Sequence, residues 1–307
     1  MSLEIKELTK RFGAKTAVDA LSLSLREPGV YGLIGTNGAG KTTTIRMLLG
    51  MLPADGGSAL WNGAAIPQSG LRYGYMPEER GIYMKTRVGE QLVYFARLRG
   101  MRKADAMASA DRLLDRLGVA EYKSMLAEKL SKGNQQKIQL IATLLHDPDL
   151  LILDEPFSGL DPLNTQLFRE LIEELASKGK YIILSSHQMA VVEEYCREIT
   201  LLHRGKTILQ GDLRRIKAGY GHTKLVVAVP DAALDMAQSF GLRVTERRAA
   251  EADLALPPQD ADARAEEYLK AMLAAGILPA KFQLSEPTLH EIFIEKVGEA
   301  VEGGAAA

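Results

Sequence analysis

Charged and apolar residues alternate from Leu3 to Leu8, and apolar positions recur at every second residue from Leu21 to Leu25. That period of two puts the apolar side chains on one face, so both runs predict half-buried strands. Gly29 to Ile34 differs: it is apolar, too short for a helix, and stops at a glycine-rich loop. A helical pattern begins at Lys41 and carries Ile45, Met47, Leu48 and Leu49. From about 88 to 146 the spacing of Leu92, Phe95, Leu98, Leu113, Leu114 and Leu117 predicts mostly helix. Leu150 to Leu153 and Ile182 to Leu184 are short apolar runs with polar flanks, the pattern of strands buried in a parallel sheet.

Between Leu213 and His222 the character changes, with Arg214, Arg215, Lys217, Gly219 and Gly221 in quick succession. Beyond it the pattern predicts a strand at 224–229, a helix at 231–240 and strands near 242–246 and 251–256. A helix at 260–274, a strand at 276–283 and a last helix from Pro287 follow. That β-α-β-β-α-β order predicts a small split-βαβ domain. The expected organisation is a large domain at 1–215, a linker at 216–222, a small α+β domain at 223–300 and a disordered tail at 301–307.

Composition narrows the partners. With 38 Lys+Arg against 39 Asp+Glu the net charge is -1, so no basic surface calls for nucleic acid. The lone Cys196 excludes a disulfide framework or a multi-cysteine metal site. No stretch reaches the roughly 18 to 20 apolar residues of a membrane span. Met1 to Lys6 lacks the apolar core of a secretory signal. The expectation is a cytoplasmic protein that reaches any membrane through a partner.

Gly35-Thr36-Asn37-Gly38-Ala39-Gly40-Lys41-Thr42 fits the P-loop pattern, and Thr43 extends it into the helix. Glycines let the backbone turn tightly and aim its N–H groups at phosphate oxygens. The helix starting at Lys41 adds its positive end. Lys41 is expected to bridge the β- and γ-phosphates of a nucleotide, and Thr42 to ligate Mg²⁺.

Leu150 to Leu153 leads into Asp154-Glu155. Acids at the carboxyl end of a buried strand stand where an open parallel sheet binds nucleotide. Alternation along the strand is expected to send Asp154 toward Mg²⁺ and Glu155 toward the attacking water, with Glu155 as general base. Ile182 to Leu184 leads into Ser185-Ser186-His187. If that strand lies beside the P-loop strand, His187 comes near the γ-phosphate and can hold it or the water.

Leu130-Ser131-Lys132-Gly133-Asn134-Gln135-Gln136 comes before Asp154-Glu155-Pro156, then Ser158-Gly159-Leu160-Asp161, then His187. Taken with the P-loop, residues 1–215 resemble an ATP-binding-cassette (ABC) ATPase domain. The resemblance implies an α/β P-loop NTPase of ABC type. Its mixed-sheet core would carry an antiparallel β part and an inserted helical subdomain at about 80–146, with the small α+β domain appended. It also implies a head-to-tail homodimer or heterodimer that closes on two ATP molecules. Each would lie between one P-loop and the partner's signature segment Leu130, Ser131, Lys132, Gly133 and Asn134. Ser158, Gly159, Leu160 and Asp161 would link the two sites, and Phe12 would stack on adenine.

Two departures stand out. Lys132 and Asn134 replace the signature's usual second glycine and glutamine, and Glu78 replaces the usual Mg²⁺-sensing glutamine. Opposite charges at Glu78 and Lys132 are expected to compensate across the closed dimer. Glu78-Glu79-Arg80-Gly81-Ile82-Tyr83, the signature segment and Glu286-Pro287-Thr288-Leu289-His290-Glu291-Ile292-Phe293 resemble prokaryotic exporter ATPases of sodium-extruding and drug-resistance systems. That implies a separate integral ABC-2-type membrane permease and a peripheral place on the inner face of the cell membrane. The alternative is a soluble ABC ATPase acting on ribosomes or DNA. The second cassette or long coiled-coil insertion usual in those proteins is not visible here.

Overall fold

The computed structural model describes residues 1–79 and 81–305. The chain divides into two compact units, Met1–Gln210 and Gly211–Ala307. The first begins with strands β1 (Leu3–Phe12), β2 (Lys15–Leu25) and β3 (Gly29–Gly35), then helix α1 (Lys41–Leu48). Next come β4 (Gly56–Trp61), β5 (Ala64–Ala65), β6 (Tyr73–Met76), α2 (Val88–Leu98), α3 (Lys103–Arg116) and α4 (Lys132–Leu144). The unit closes with β7 (Leu150–Asp154), α5 (Pro162–Ser177), β8 (Tyr181–Ser186), α6 (Met189–Tyr195), β9 (Glu198–His203) and β10 (Lys206–Asp212).

Two sheets form its frame: an antiparallel one in the order β2-β1-β4-β5, and a six-stranded one in the order β10-β9-β3-β8-β7-β6. In the second, β3, β8, β7 and β6 run parallel, with Val30 opposite Ile182 and Leu151 opposite Ile182. All of β7 is buried, which explains its unbroken apolar run. One core joins the sheets, with Leu3, Ile5, Leu33, Ile45, Leu48 and Trp61 among its members. The first two strands extend into 9–12 and 15–20, which lack the alternation. Register shifts between Ile5 and Arg11 break the period there, so the pattern ends before the strand does.

The second unit begins with α7 (Leu213–Tyr220), followed by β11 (Lys224–Ala228), α8 (Asp231–Ala237), β12 (Arg243–Arg247) and β13 (Ala252–Ala255). It ends with α9 (Ala261–Ala274), β14 (Lys281–Ser285) and α10 (Leu289–Ala305). Its strands form one antiparallel sheet in the order β12-β13-β11-β14 over a core that includes Leu225, Val227, Leu254, Tyr268 and Met272.

Three sequence expectations change here. The segment 216–222 is mostly helix rather than linker, because Asp212 caps it by accepting a hydrogen bond from Arg215 N–H at 3.0 Å. The last strand starts at Lys281, not 276, since Gly276 at φ 75° ends the preceding helix and 277–280 turn back. The expected tail at 301–307 overlaps a helix running to Ala305, while residues 306–307 lie outside the described residues. Among the described residues, no helix is long and apolar enough to cross a membrane.

Candidate nucleotide site

The loop after β3 wraps a cavity of 440 Å³ lined by Thr36 to Thr43, with Phe12, Lys15, Ala17 and Glu78 at its margins. Gly40 adopts φ 110°, and a Cβ there would sit 2.5 Å from Ala17 O, so no other residue fits without displacing the backbone. A Cβ on Gly35 would lie 2.4 Å from Leu202 O. Lys41 is buried and donates to Gly35 O at 2.7 Å, which folds its ammonium back over the loop. Phe12, exposed at the end of β1, sits on the rim with Lys10 Nζ 5.6 Å from its ring centre. Lys10 is anchored to Asp55 Oδ1 at 2.9 Å, and Arg11 N–H donates to Asp55 Oδ2 at 2.7 Å. These two bonds hold the Asp55 carboxyl below the ordinary carboxylate value, the backbone bond most of all.

The two acids diverge through a turn rather than through strand alternation. Glu155 lies just past β7 at φ 52°, a left-handed conformation that non-glycine residues adopt at a cost, and its N–H donates to Ser185 O at 2.9 Å. Asp154, buried, accepts from Ser185 Oγ at 2.7 Å and from Thr42 Oγ1 at 3.1 Å. Burial raises its carboxyl pKa, opposed by the two hydroxyls. Glu155 Oε2 accepts from Ser186 Oγ at 3.2 Å. Its Oε1 has His187 Nδ1 at 2.8 Å and Lys41 Nζ at 3.6 Å, both within ion-pair distance. Neither approach makes a hydrogen bond, so this buried oxygen remains an unsatisfied acceptor. An acceptor so disposed, between an ammonium and a half-exposed imidazole, can take a proton from a water.

Thr42 and Asp154 offer adjacent hard oxygens of the kind Mg²⁺ takes alongside phosphate and water. The residues therefore fit that ion, with Glu78 on the wall of the same cavity.

The segment 130–134 forms the start of α4. Ser131 is its N-cap: Ser131 Oγ accepts from Asn134 N–H at 3.3 Å, which leaves the hydroxyl proton free to donate outward. The first-turn N–H groups of Lys132 and Gly133 have no acceptor earlier in the helix. A Cβ on Gly133 would lie 3.1 Å from Asn164 Nδ2, so a side chain there would crowd the start of α5. Asp161 caps that helix, accepting from Asn164 N–H at 2.9 Å and from Asn164 Nδ2 at 2.6 Å. The Asn164 backbone N–H, ahead of its amide side chain, depresses the Asp161 carboxyl pKa.

Against known proteins, residues 18–158 match the ABC transporter family model. Residues 211–297 match the C-terminal domain of DrrA1-3-like ATP-binding proteins. The ABC transporter ATP-binding protein YhaQ of Bacillus subtilis is 43% identical over 301 residues, covering 98% of this chain and all of that one. The chain belongs to the ABC transporter ATP-binding proteins. As an ABC ATP-binding subunit it binds ATP and is an ATPase coupled to transport. The Nod factor export ATP-binding protein I of Ralstonia nicotianae is 36% identical over 213 residues, covering 68% of this chain and 66% of that protein. A solved ATP-binding subunit of an ABC transporter superposes with a TM-score of 0.66 at 31% identity, over 72% of this chain and 94% of its own.

Within this ABC subunit, Glu78 and Lys132 border the same small cavity. Both line one cavity of 70 Å³ in a single chain, together with Glu155 and Ser158. Lys132 Nζ lies where it would be 2.6 Å from a Cβ on Gly159, so the ammonium rests on the chain's own 158–161 loop. The residues that sequence reasoning missed are the partners: Ser185, Ser186, Gln136 and Gln139. For the serines a signal existed, since a Ser-Ser-His end on a strand paired with the Asp-Glu strand sets Ser185 opposite Asp154.

Proposed function

We propose that this subunit energises an exporter by closing on ATP as a head-to-tail dimer. One observation carries the reading: the residues lining the P-loop cavity do not include Ser131 to Asn134. The first-turn N–H groups of Lys132 and Gly133, at the start of α4, would then meet a nucleotide brought by a second copy or a related subunit. Phe12 stacks on the base, and Lys41 with the 36–43 backbone grips the triphosphate. Thr42 and Asp154, with Glu78 nearby, would hold Mg²⁺, which would supply positive charge against the triphosphate.

Glu155 accepts the proton of the attacking water as its oxygen bonds to the γ-phosphorus. The bond to the bridging oxygen breaks, and ADP and phosphate result. Ser186 fixes the Glu155 carboxylate through Oε2, and His187, 2.8 Å from Oε1, holds the γ-phosphate or the attacking water. Loss of the γ-phosphate releases the partner's Ser131 and Gly133, and the dimer reopens.

The export direction follows the Nod factor export relative. A membrane permease of ABC-2 type docks in a groove of 230 Å³ lined by Tyr75, Pro77, Phe95, Leu98, Arg99 and His146, next to the Glu78 turn. Docking there holds the subunit at the inner face of the membrane. The test is sedimentation of Glu155→Gln protein with ATP and Mg²⁺. A nucleotide-dependent dimer is expected; a strictly monomeric, ATP-loaded chain at high concentration, alone and with its permease, sinks the reading.

A further inference from the structure

Gln136 and Gln139 sit three residues apart on α4 and so share a face. Gln136 Nε2 donates to Pro156 O at 2.7 Å, one residue beyond Glu155. Gln139 Nε2 donates to Pro77 O at 2.6 Å and to Glu79 O at 3.2 Å, on either side of Glu78. A turn further on, Thr143 Oγ1 donates to Gln139 O at 2.9 Å and lies 3.4 Å from Tyr75 O. These bonds go to main-chain carbonyls. They therefore hold the paths of the two loops rather than the rotamers of their acids, and a displaced loop must carry the helix or break a buried bond.

We propose that Gln136 and Gln139 are positioning residues that make α4 respond, within one chain, to nucleotide at its own P-loop. Each amide ties the helix carrying Ser131 and Gly133 to a loop that faces the nucleotide, at Glu155 and at Glu78. Binding in cis thus presets the segment offered to the second protomer, before that protomer arrives. The inference rests on the proposed roles of Glu78 and Glu155 but not on dimer closure.

Its test is hydrogen exchange on the full chain, at a concentration where sedimentation shows a monomer, with and without ATP and Mg²⁺. Protection at 36–48 reports nucleotide binding, and exchange at 132–144 reports the relay. With both glutamines present, ATP is expected to change exchange at 132–144 by about 5- to 10-fold, the scale of one buried hydrogen bond. Gln136→Leu or Gln139→Leu alone should reduce that response, and the pair should remove it while protection at 36–48 persists. A paired Gln136→Met/Gln139→Met variant serves if the leucines prevent folding. A purely structural role lowers the melting temperature but leaves the ATP response intact, and that result overturns the proposal. So does a parent protein whose 132–144 segment ignores bound ATP. Failure of the dimer reading appears elsewhere, in the sedimentation of Glu155→Gln.

Discussion

Each unit buries a carboxylate with one unsatisfied oxygen, Glu155 Oε1 in the first and Asp253 Oδ1 in the second. Their surroundings differ. Asp253 lies within a strand opposite Val226, with Arg248 Nη2 donating to Oδ2 at 3.1 Å and Lys224 Nζ at 3.5 Å. Lys224 also reaches Glu291 at 3.5 Å, so the cluster laces β11, β13 and α10 together. Glu155 lies past its strand in a left-handed turn, among Lys41, Ser186 and His187, where the parallel sheet ends. An unsatisfied buried oxygen is therefore no site by itself. What separates the two is whether the fold aims it at groups that can hold phosphate and water.

The largest expected effect breaks the first unit alone. Glu155→Gln should lower turnover by about 10²- to 10⁴-fold while ATP still binds, read as phosphate release and nucleotide affinity on one sample. A native rate would remove Glu155 as base. Lys41→Ala should instead weaken ATP binding by about 10- to 100-fold, the scale of lost charge-assisted hydrogen bonds, in an equilibrium titration. The matching change in the second unit, Asp253→Asn, should cost about 1–3 kcal/mol of unfolding free energy in a denaturant titration. Turnover per folded molecule should stay native, and a drop in it would erase the contrast between the two carboxylates.

Smaller effects sharpen the picture inside the first unit. Because Glu78 and Lys132 line one cavity in a single chain, Glu78→Gln and Lys132→Gln should couple by about 0.5–1 kcal/mol in ATP binding by monomer. Additivity there would leave only a cross-protomer effect.

The smallest effect concerns His146, whose Nε2 contacts Tyr73 O at 2.9 Å in the groove beside Arg99, Arg72 and Asp147. Burial, the largest influence, lowers its pKa below the ordinary 6.5, so the fold prefers the neutral ring. Its stabilising share is complete above the ordinary histidine value and drains away as pH falls toward the lowered folded one. Melting curves across that acid range should flatten in His146→Gln; an unchanged slope would assign the acid sensitivity elsewhere.

Much of the nucleotide loop was legible because its chemistry is local. Glycine spacing and the following helix depend on neighbouring dihedrals and on side chains a few residues away. The second unit's order of strands and helices was legible for the same reason, through periodicity. What was not legible involved a choice between equally reasonable local outcomes. The segment 216–222, in a basic and glycine-rich stretch, reads as linker until the Asp212 cap is seen to start a helix. Glu155 reads as a continuation of its strand until φ 52° turns it aside.

By itself, the sequence determined which groups the protein has for triphosphate chemistry, and that an apolar strand delivers each of them to a loop. Only the tertiary structure decided their neighbours. Pairing β7 with β8 set Ser185 against Asp154, 31 residues away in the chain. Packing α4 against the loops at 77–79 and 156 put Gln139 and Gln136 on their carbonyls. Such contacts arise from burying whole sheets and helices against one another, a property that no single segment carries.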